Sequence, residues 1–192
     1  MNAALRAKAI LSDPAAEWMR IEKESGDAAY LLSSYVAVLA LIPAVFGFVG
    51  ACIVGAVVPG RGLVRASIVD GLFGAVFGYV VTCATVLMLG LLIRLLAPLF
   101  GGRGDFNNSF KLAVYAYTPV WLAGISLLAP GVRFLGLTGF YGAYILWTGL
   151  PQLIKIPERK VLSFTAVIVG CGFVLAMIGS IAQRRLFGSA LF

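Results

Sequence analysis

The chain has no histidine, which removes the commonest general base and the commonest metal ligand together. Charge is scarce as well. Charged residues make up 12% of the sequence, against about 25% in ordinary soluble domains. Three cysteines are present, Cys52, Cys83 and Cys171, each inside an apolar run and none in a Cys-x-x-Cys pair. An odd, scattered set suggests neither a disulfide framework nor a thiolate metal site, and burial as small, weakly polar side chains is its expected fate. No catalytic residue, metal or cofactor is expected.

Apolar sequence takes the place of what is missing. Hydrophobic residues reach 61% and mean hydropathy is +1.00. Such a chain has too little polar surface to cover a water-soluble core, so an integral membrane protein is expected. Five uncharged stretches, 28–60, 71–93, 112–132, 134–154 and 161–183, each reach the roughly 20 residues a helix needs to cross hydrocarbon. They are continuously apolar rather than alternating, which favours helices over a barrel. The expected fold is an all-α membrane protein, a bundle of five transmembrane helices with a short N-terminal amphipathic helix. Its spans lie at about 32–58, 71–94, 112–131, 134–154 and 161–183. Residues 1–27 form a cytoplasmic N-terminal segment and residues 28–192 the transmembrane domain.

The formal charge of +7 invites a nucleic-acid reading, but the cations are spread over every loop and form no basic stripe. They serve better to fix topology and to meet anionic headgroups. Ten of the 15 Lys and Arg residues fall in the N-terminal segment and the second and fourth loops. The other five are Arg61, Arg65, Arg133, Arg184 and Arg185. That asymmetry predicts a cytoplasmic N-terminus and an exoplasmic C-terminus. Lys155, Arg159 and Lys160 follow the fourth span directly and are candidate contacts for anionic lipid on the cytoplasmic side.

In the polar N-terminal segment, Asp13-Pro14 reads as a helix start, with Asp as N-cap and Pro at the first helical position. Trp18 and Ile21 then share one face. Either this helix lies in the headgroup region anchored by Trp18, or it is a short solvated lead into the first span. Early cations with no apolar run after them exclude a signal peptide. The run Gly101-Gly102-Arg103-Gly104-Asp105 lacks the Gly-Lys-Ser/Thr ending of a phosphate loop and reads as a flexible turn.

Pro43, Pro119 and Pro151 interrupt three of the spans, where proline removes a backbone donor and can kink a helix. Polar and aromatic residues lie beside the last two, so Tyr115, Tyr117, Pro119, Tyr141, Tyr144 and Gln152 form a candidate pocket or kink between spans three and four. The alternative is an interfacial aromatic belt. Small residues recur at helical spacing: Gly47, Ala51 and Gly55; Gly74 and Gly78; Gly172, Ala176 and Ser180. Such stripes let helix axes approach in lipid. Gly74, Gly78, Gly172 and Ala176 are the candidate packing residues, with packing inside the chain preferred over a second copy. Gly78→Leu is expected to destabilise the bundle.

Three pieces of sequence then resemble a known family. They are Asp-Pro-x3-Trp-x2-Ile at 13–21, Gly-Gly-x-Gly-x-Phe with Tyr-x-Tyr-Thr-Pro at 101–119, and Tyr-x2-Tyr-x4-Gly-Leu-Pro-x9-Lys at 141–160. In order and spacing they resemble the bacterial branch of the Yip1 family, small membrane proteins with five predicted spans. The resemblance implies a multi-pass protein of a bacterial inner membrane and no catalytic residues. Eukaryotic members associate with Rab-type GTPases, a partner not carried over here. The expected role is non-enzymatic, organising membrane or partner proteins, with a possible protein partner or homo-oligomer and no nucleic acid. The alternative is a transporter or channel for a small solute, lipid or metal ion.

Overall fold

The computed structural model describes residues 2–24, 27–58, 60 and 62–187. Arg61 and the C-terminal end, whose side of the membrane the sequence predicts, lie outside the described residues. The N-terminal segment forms two helices, α1 (Ala3–Ser12) and α2 (Pro14–Lys23). Asp13 caps α2 as expected, its carboxylate accepting from the Ala16 amide at 3.0 Å with Pro14 in the first turn. Neither sequence reading of this segment holds. Ile10, Trp18 and Ile21 are fully buried, so the apolar faces pack into protein rather than into headgroups.

The first long helix, α3 (Ala28–Val54), passes through π-helical turns at Leu32–Val36 and Gly50–Val54. It loosens into a turn at Ala40, just before Pro43, whose ring cannot accommodate the carbonyl four residues back. The helix ends at Val54, short of the expected span end near 58. Ala56–Val58 is instead strand β1, paired antiparallel with β2 (Gly62–Val64) in the register Ala56↔Val64. Helix α4 (Ile68–Phe100) follows, capped by Ser67. Helix α5 (Phe106–Leu128) starts at its Asp105 cap, six residues before the predicted 112. Its α-helical path restarts beyond Tyr117, at Pro119, and its last turns, Gly124–Leu128, tighten to 3-10 geometry.

Residues 130–154 depart most from expectation. Pro130–Phe140 is 3-10, α6 (Tyr141–Gly149) is α-helical, and Leu150–Ile154 is π. No single α-helical span covers 134–154. The physical reason is composition: Gly131, Gly136, Gly139 and Gly142 weaken the helix, and Pro151 removes another bond. Among the described residues, four helices can cross a membrane by length and apolarity: α3, α4, α5 and α7 (Glu158–Phe187).

The path of 130–154 is nevertheless a complete return along α5. Gly136 faces Ser126, Gly139 faces Val120, Gly142 faces the Ala116 carbonyl and Gly149 faces Leu112. The pairing closes where the Arg103 amide donates to the Ile154 carbonyl at 2.7 Å.

Helices α4 and α7 pack against each other, with the small residues of each stripe facing side chains outside the other stripe. Gln183 Nε2 donates to the Gly74 carbonyl at 3.3 Å, and Gly172 faces Leu89. The tight point is Gly179, where an added Cβ would lie 2.7 Å from Val81 Cγ1. At Gly78 a Cβ would meet only the Gln183 side chain at 3.7 Å, an ordinary contact, so the expected clash of Gly78→Leu moves to Gly179. On α3 the close approach falls outside the Gly47, Ala51 and Gly55 stripe, at Gly50, where a Cβ would sit 2.1 Å from the Leu127 carbonyl oxygen.

Candidate functional site

At one end of the bundle the α1–α2 hairpin clasps the long helices. Trp18 reaches from α2 to α6, its indole Nε1 donating to the Ile145 carbonyl at 3.1 Å and the Thr148 hydroxyl at 3.2 Å. The ring fits because residue 149 is glycine: a Cβ there would come within 2.5 Å of the indole. From Trp18 an aromatic column runs inward. Its centroid lies 6.0 Å from Tyr115, Tyr115 lies 5.1 Å from Tyr35, and Tyr35 lies 6.3 Å from Trp121, each pair edge to face. The Tyr35 and Thr118 hydroxyls share a hydrogen bond of 2.9 Å, which satisfies both polar groups within the apolar bundle.

An ion network seals this end. The Arg6 guanidinium lies 5.8 Å over the Tyr115 ring. Its Nη1 donates to Glu17 Oε1 at 2.5 Å and its Nη2 to Glu24. The Glu17 side chain is only 2% exposed, and its second oxygen pairs with Arg20 at 3.2 Å. Burial works against the Arg6 charge, but the Glu24 and Glu17 carboxylates outweigh it and hold its pKa above the ordinary arginine value. The guanidinium therefore stays charged at any working pH. Lys111, buried on α5, donates from Nζ to the Glu24 backbone carbonyl. Beneath these groups is a cavity of about 220 Å³, lined among others by Arg6, Glu24, Asp27, Tyr30, Lys111 and Tyr115.

The candidate pocket residues do not share one site. Tyr115 belongs to the clasp. Tyr117 points elsewhere, 5.2 Å from Trp121, and borders a larger groove toward the opposite end of the bundle. Pro119 is buried where α5 restarts. Tyr141 and Tyr144 lie on the outer surface, 37% and 45% exposed, beside each other at 5.5 Å, with Trp147 6.1 Å beyond Tyr144. The Tyr141 hydroxyl donates to the Leu11 carbonyl at 3.1 Å. Gln152 is half-buried in the π turn and borders neither cavity.

The basic cluster is also divided. Lys155, in left-handed backbone at φ 59, pairs with Glu22 on α2 at 2.5 Å. Arg159 and Lys160 open α7 with no ion pair among the described residues. Sequence reasoning missed Arg6, Glu17 and Lys111. The available signal was Lys111 four residues before Tyr115, on one helix face, together with acids and bases interleaved through 1–27.

Chemically the arrangement is a clasp. The charges neutralise each other, and the indole and hydroxyls bond within the protein. Among the described residues no group of three His, Cys, Asp or Glu is placed to hold a metal ion.

Two comparisons with known proteins bear on this architecture. The chain is 28% identical over 170 residues to the protein called inner membrane protein YohC in two strains of Escherichia coli, covering 86% of this chain and 87% of each relative. No solved structure matches the chain. Residues 8–181 match the Yip1 domain, a stretch that runs from inside α1 almost to the end of α7, and the chain belongs to the Yip1 family.

Proposed function

We propose that this is a multi-pass protein of a bacterial inner membrane with no catalytic role of its own, acting as a scaffold that organises membrane or partner proteins. The observation that carries the reading is the clasp. The polar hairpin, the 101–105 turn and the 155–157 turn are tied together at one end of the bundle through Arg6–Glu17, Lys155–Glu22 and the Arg103–Ile154 backbone bond. A hairpin fixed in this way presents a rigid polar platform, with Leu5, Met19 and Arg20 on its outside, and its buried polar groups are consumed in holding shape. The relative's name supports the inner membrane as the location. A platform of this kind suits a protein partner or a second copy, and Arg159 and Lys160 beside it suit anionic lipid.

Purification in mild detergent after crosslinking from position 19 tests the reading. A reproducible partner or a homo-oligomer is expected. A monomeric particle with neither partner nor bound lipid would overturn it.

The topology proposed is five crossings, N-terminus cytoplasmic and C-terminus exoplasmic. It is supported by the return of 130–154 along the whole of α5: if α5 crosses the membrane, its antiparallel companion crosses back. It is supported also by the gathering of the predicted cytoplasmic segments at one end. A reporter placed after Phe192 is expected on the exoplasmic side and one within 101–105 in the cytoplasm. Reporters on the same side would exclude an odd number of crossings between them.

A further inference from the structure

The opposite end of the bundle is open. A groove of about 730 Å³ lies between α3, α4, the end of α5, the 130–140 segment and α7, a volume in the range of ligand sites, about 300–1,000 Å³. On α4 it runs from Gly74 to Thr85, about 16 Å at the helical rise of roughly 1.5 Å per residue. Its walls are made by small residues. Gly47, Gly78, Gly136 and Ala176 leave side-chain space empty where their helices pass, and Ala75, Gly78, Val81 and Thr82 are half-exposed, so the groove is reached from outside the bundle.

Polar character is distributed unevenly along it. At the inner end Trp121 Nε1 donates to Thr82 Oγ1 at 3.3 Å and Thr85 Oγ1 donates to the Val81 carbonyl at 2.8 Å. Further out, Ser180 bonds the Met177 carbonyl and Gln183 the Gly74 carbonyl. These groups ask nothing of a ligand. Arg133 and Arg184 differ: both line the groove, both are exposed, and neither has an ion pair among the described residues. No carboxylate is among the described residues lining the groove. Gln183, one residue before Arg184, bonds the Gly74 end of α4, so Arg184 stands at the mouth and Thr85 at the inner end.

We infer that the groove holds one acyl chain of an anionic phospholipid from the surrounding bilayer, with the phosphate between Arg133 and Arg184. A tail fits the self-satisfied, glycine-walled interior, since burying it removes apolar surface without stranding a polar group. A headgroup phosphate matches two guanidinium groups, which bind it in a fixed bidentate geometry. The site goes beyond the scaffold reading and lies at the end of the bundle away from Lys155, Arg159 and Lys160.

The test is lipid retention by the full chain. Protein reconstituted into nanodiscs of equal phosphatidylglycerol and phosphatidylcholine is extracted into mild detergent, and retained lipid is counted by native mass spectrometry. One phosphatidylglycerol per chain is expected. Each cation is worth about fivefold, so Arg133→Gln with Arg184→Gln should lower the preference about twenty-five-fold. Gly78→Leu, whose side chain would enter the groove, should abolish retention of both lipids. Lys8→Gln, at an exposed cation of the clasped end that lines neither cavity, should leave the retained lipid unchanged. The two arginines are exposed, so their variants report even if Gly78→Leu fails to fold.

Four results would overturn the inference. They are equal retention of the two lipids by the original chain, unchanged preference in the arginine pair, greater retention after removal of residues 188–192, and retention of added palmitate in place of phospholipid. The third would identify the chain's own tail as the occupant, and the fourth a free fatty acid. None of these outcomes depends on whether a protein partner exists.

Discussion

The two ends of the bundle solve the same problem in opposite ways. Each gathers polar residues beside an apolar interior. At the clasped end the charges come from separate elements and cancel: Arg6 from α1, Glu17 and Glu24 from α2 and its C-cap, and Lys111 from α5. At the open end Arg133 and Arg184 face one groove with no acid among the described lining residues. Large aromatic residues fill the first end, with Trp18 and Trp121 fully buried. Glycines line the second. An end whose charges are paired holds its shape around a cavity of only about 220 Å³, whereas the end with unpaired arginines on a groove of about 730 Å³ leaves an interaction unsatisfied. The comparison teaches that small-residue stripes in a membrane bundle serve two purposes: some close helices together, and some hold them apart around a space.

Breaking the clasp should give the largest effect. Glu17→Ala removes the buried carboxylate that Arg6 bonds and leaves it only the part-exposed Glu24, and should cost up to about 3–5 kcal/mol, the usual penalty for breaking a buried ion pair. Arg6→Met combined with Glu17→Leu should recover much of that loss, because replacing a buried pair by apolar residues is often neutral. Denaturant unfolding in detergent distinguishes the two. Equal losses in the single and the double variant would mean that volume, and not charge, holds the hairpin.

The open end sharpens the contrast through a pair of glycines on its wall. Gly50→Ala places a methyl against the Leu127 carbonyl and should lose about 1–3 kcal/mol through overpacking. Gly78→Ala meets only ordinary contact, and helix propensity should leave it neutral or stabilised by up to about 1 kcal/mol. Melting temperatures of the two variants check this. Equal shifts would mean that the groove is closed in the membrane.

The smallest effect is expected at the rim of the clasp. The Lys155–Glu22 pair is 44% and 38% exposed on its two sides, so solvent screens it, and Lys155→Ala should change stability by about 0–1 kcal/mol. The same measurement in high salt should erase even that difference. A larger loss would make the Lys155–Glu22 pair a principal tie of the clasp rather than a minor one and would point to the left-handed backbone of Lys155 as the strained element.

Much of the architecture could be read in the residues. The Asp13-Pro14 helix start is correct because a cap is a local device: one carboxylate, one amide and one ring with fixed φ. The apolar runs located four membrane-length helices because the length of hydrocarbon to be crossed is a property of the bilayer and not of the fold. Residues 130–154 failed this reading as a regular helix, since glycine and proline content there defeats a rule built on uncharged length. The candidate site fared less well. Tyr115, Tyr117 and Tyr141 lie on neighbouring or paired segments, yet the structure sends them to the clasp, the groove and the outer surface.

What the sequence determined by itself follows from interactions between near neighbours and between chain and solvent: membrane class, helical character, the positions of caps, and the excess of cations in particular loops. These depend on composition, on a period of 3.6 residues and on a boundary between water and hydrocarbon. The tertiary structure alone decided that Trp18 leaves the surface to rest on Gly149, 131 positions further along the chain, and that Arg6 is neutralised by Glu17. It alone placed Arg133 and Arg184 at one groove. Those outcomes depend on which helix faces meet. In a bundle whose faces are nearly all apolar, the hydrophobic pattern does not mark the inward side, so shape, hydrogen bonding and a handful of buried charges choose it instead.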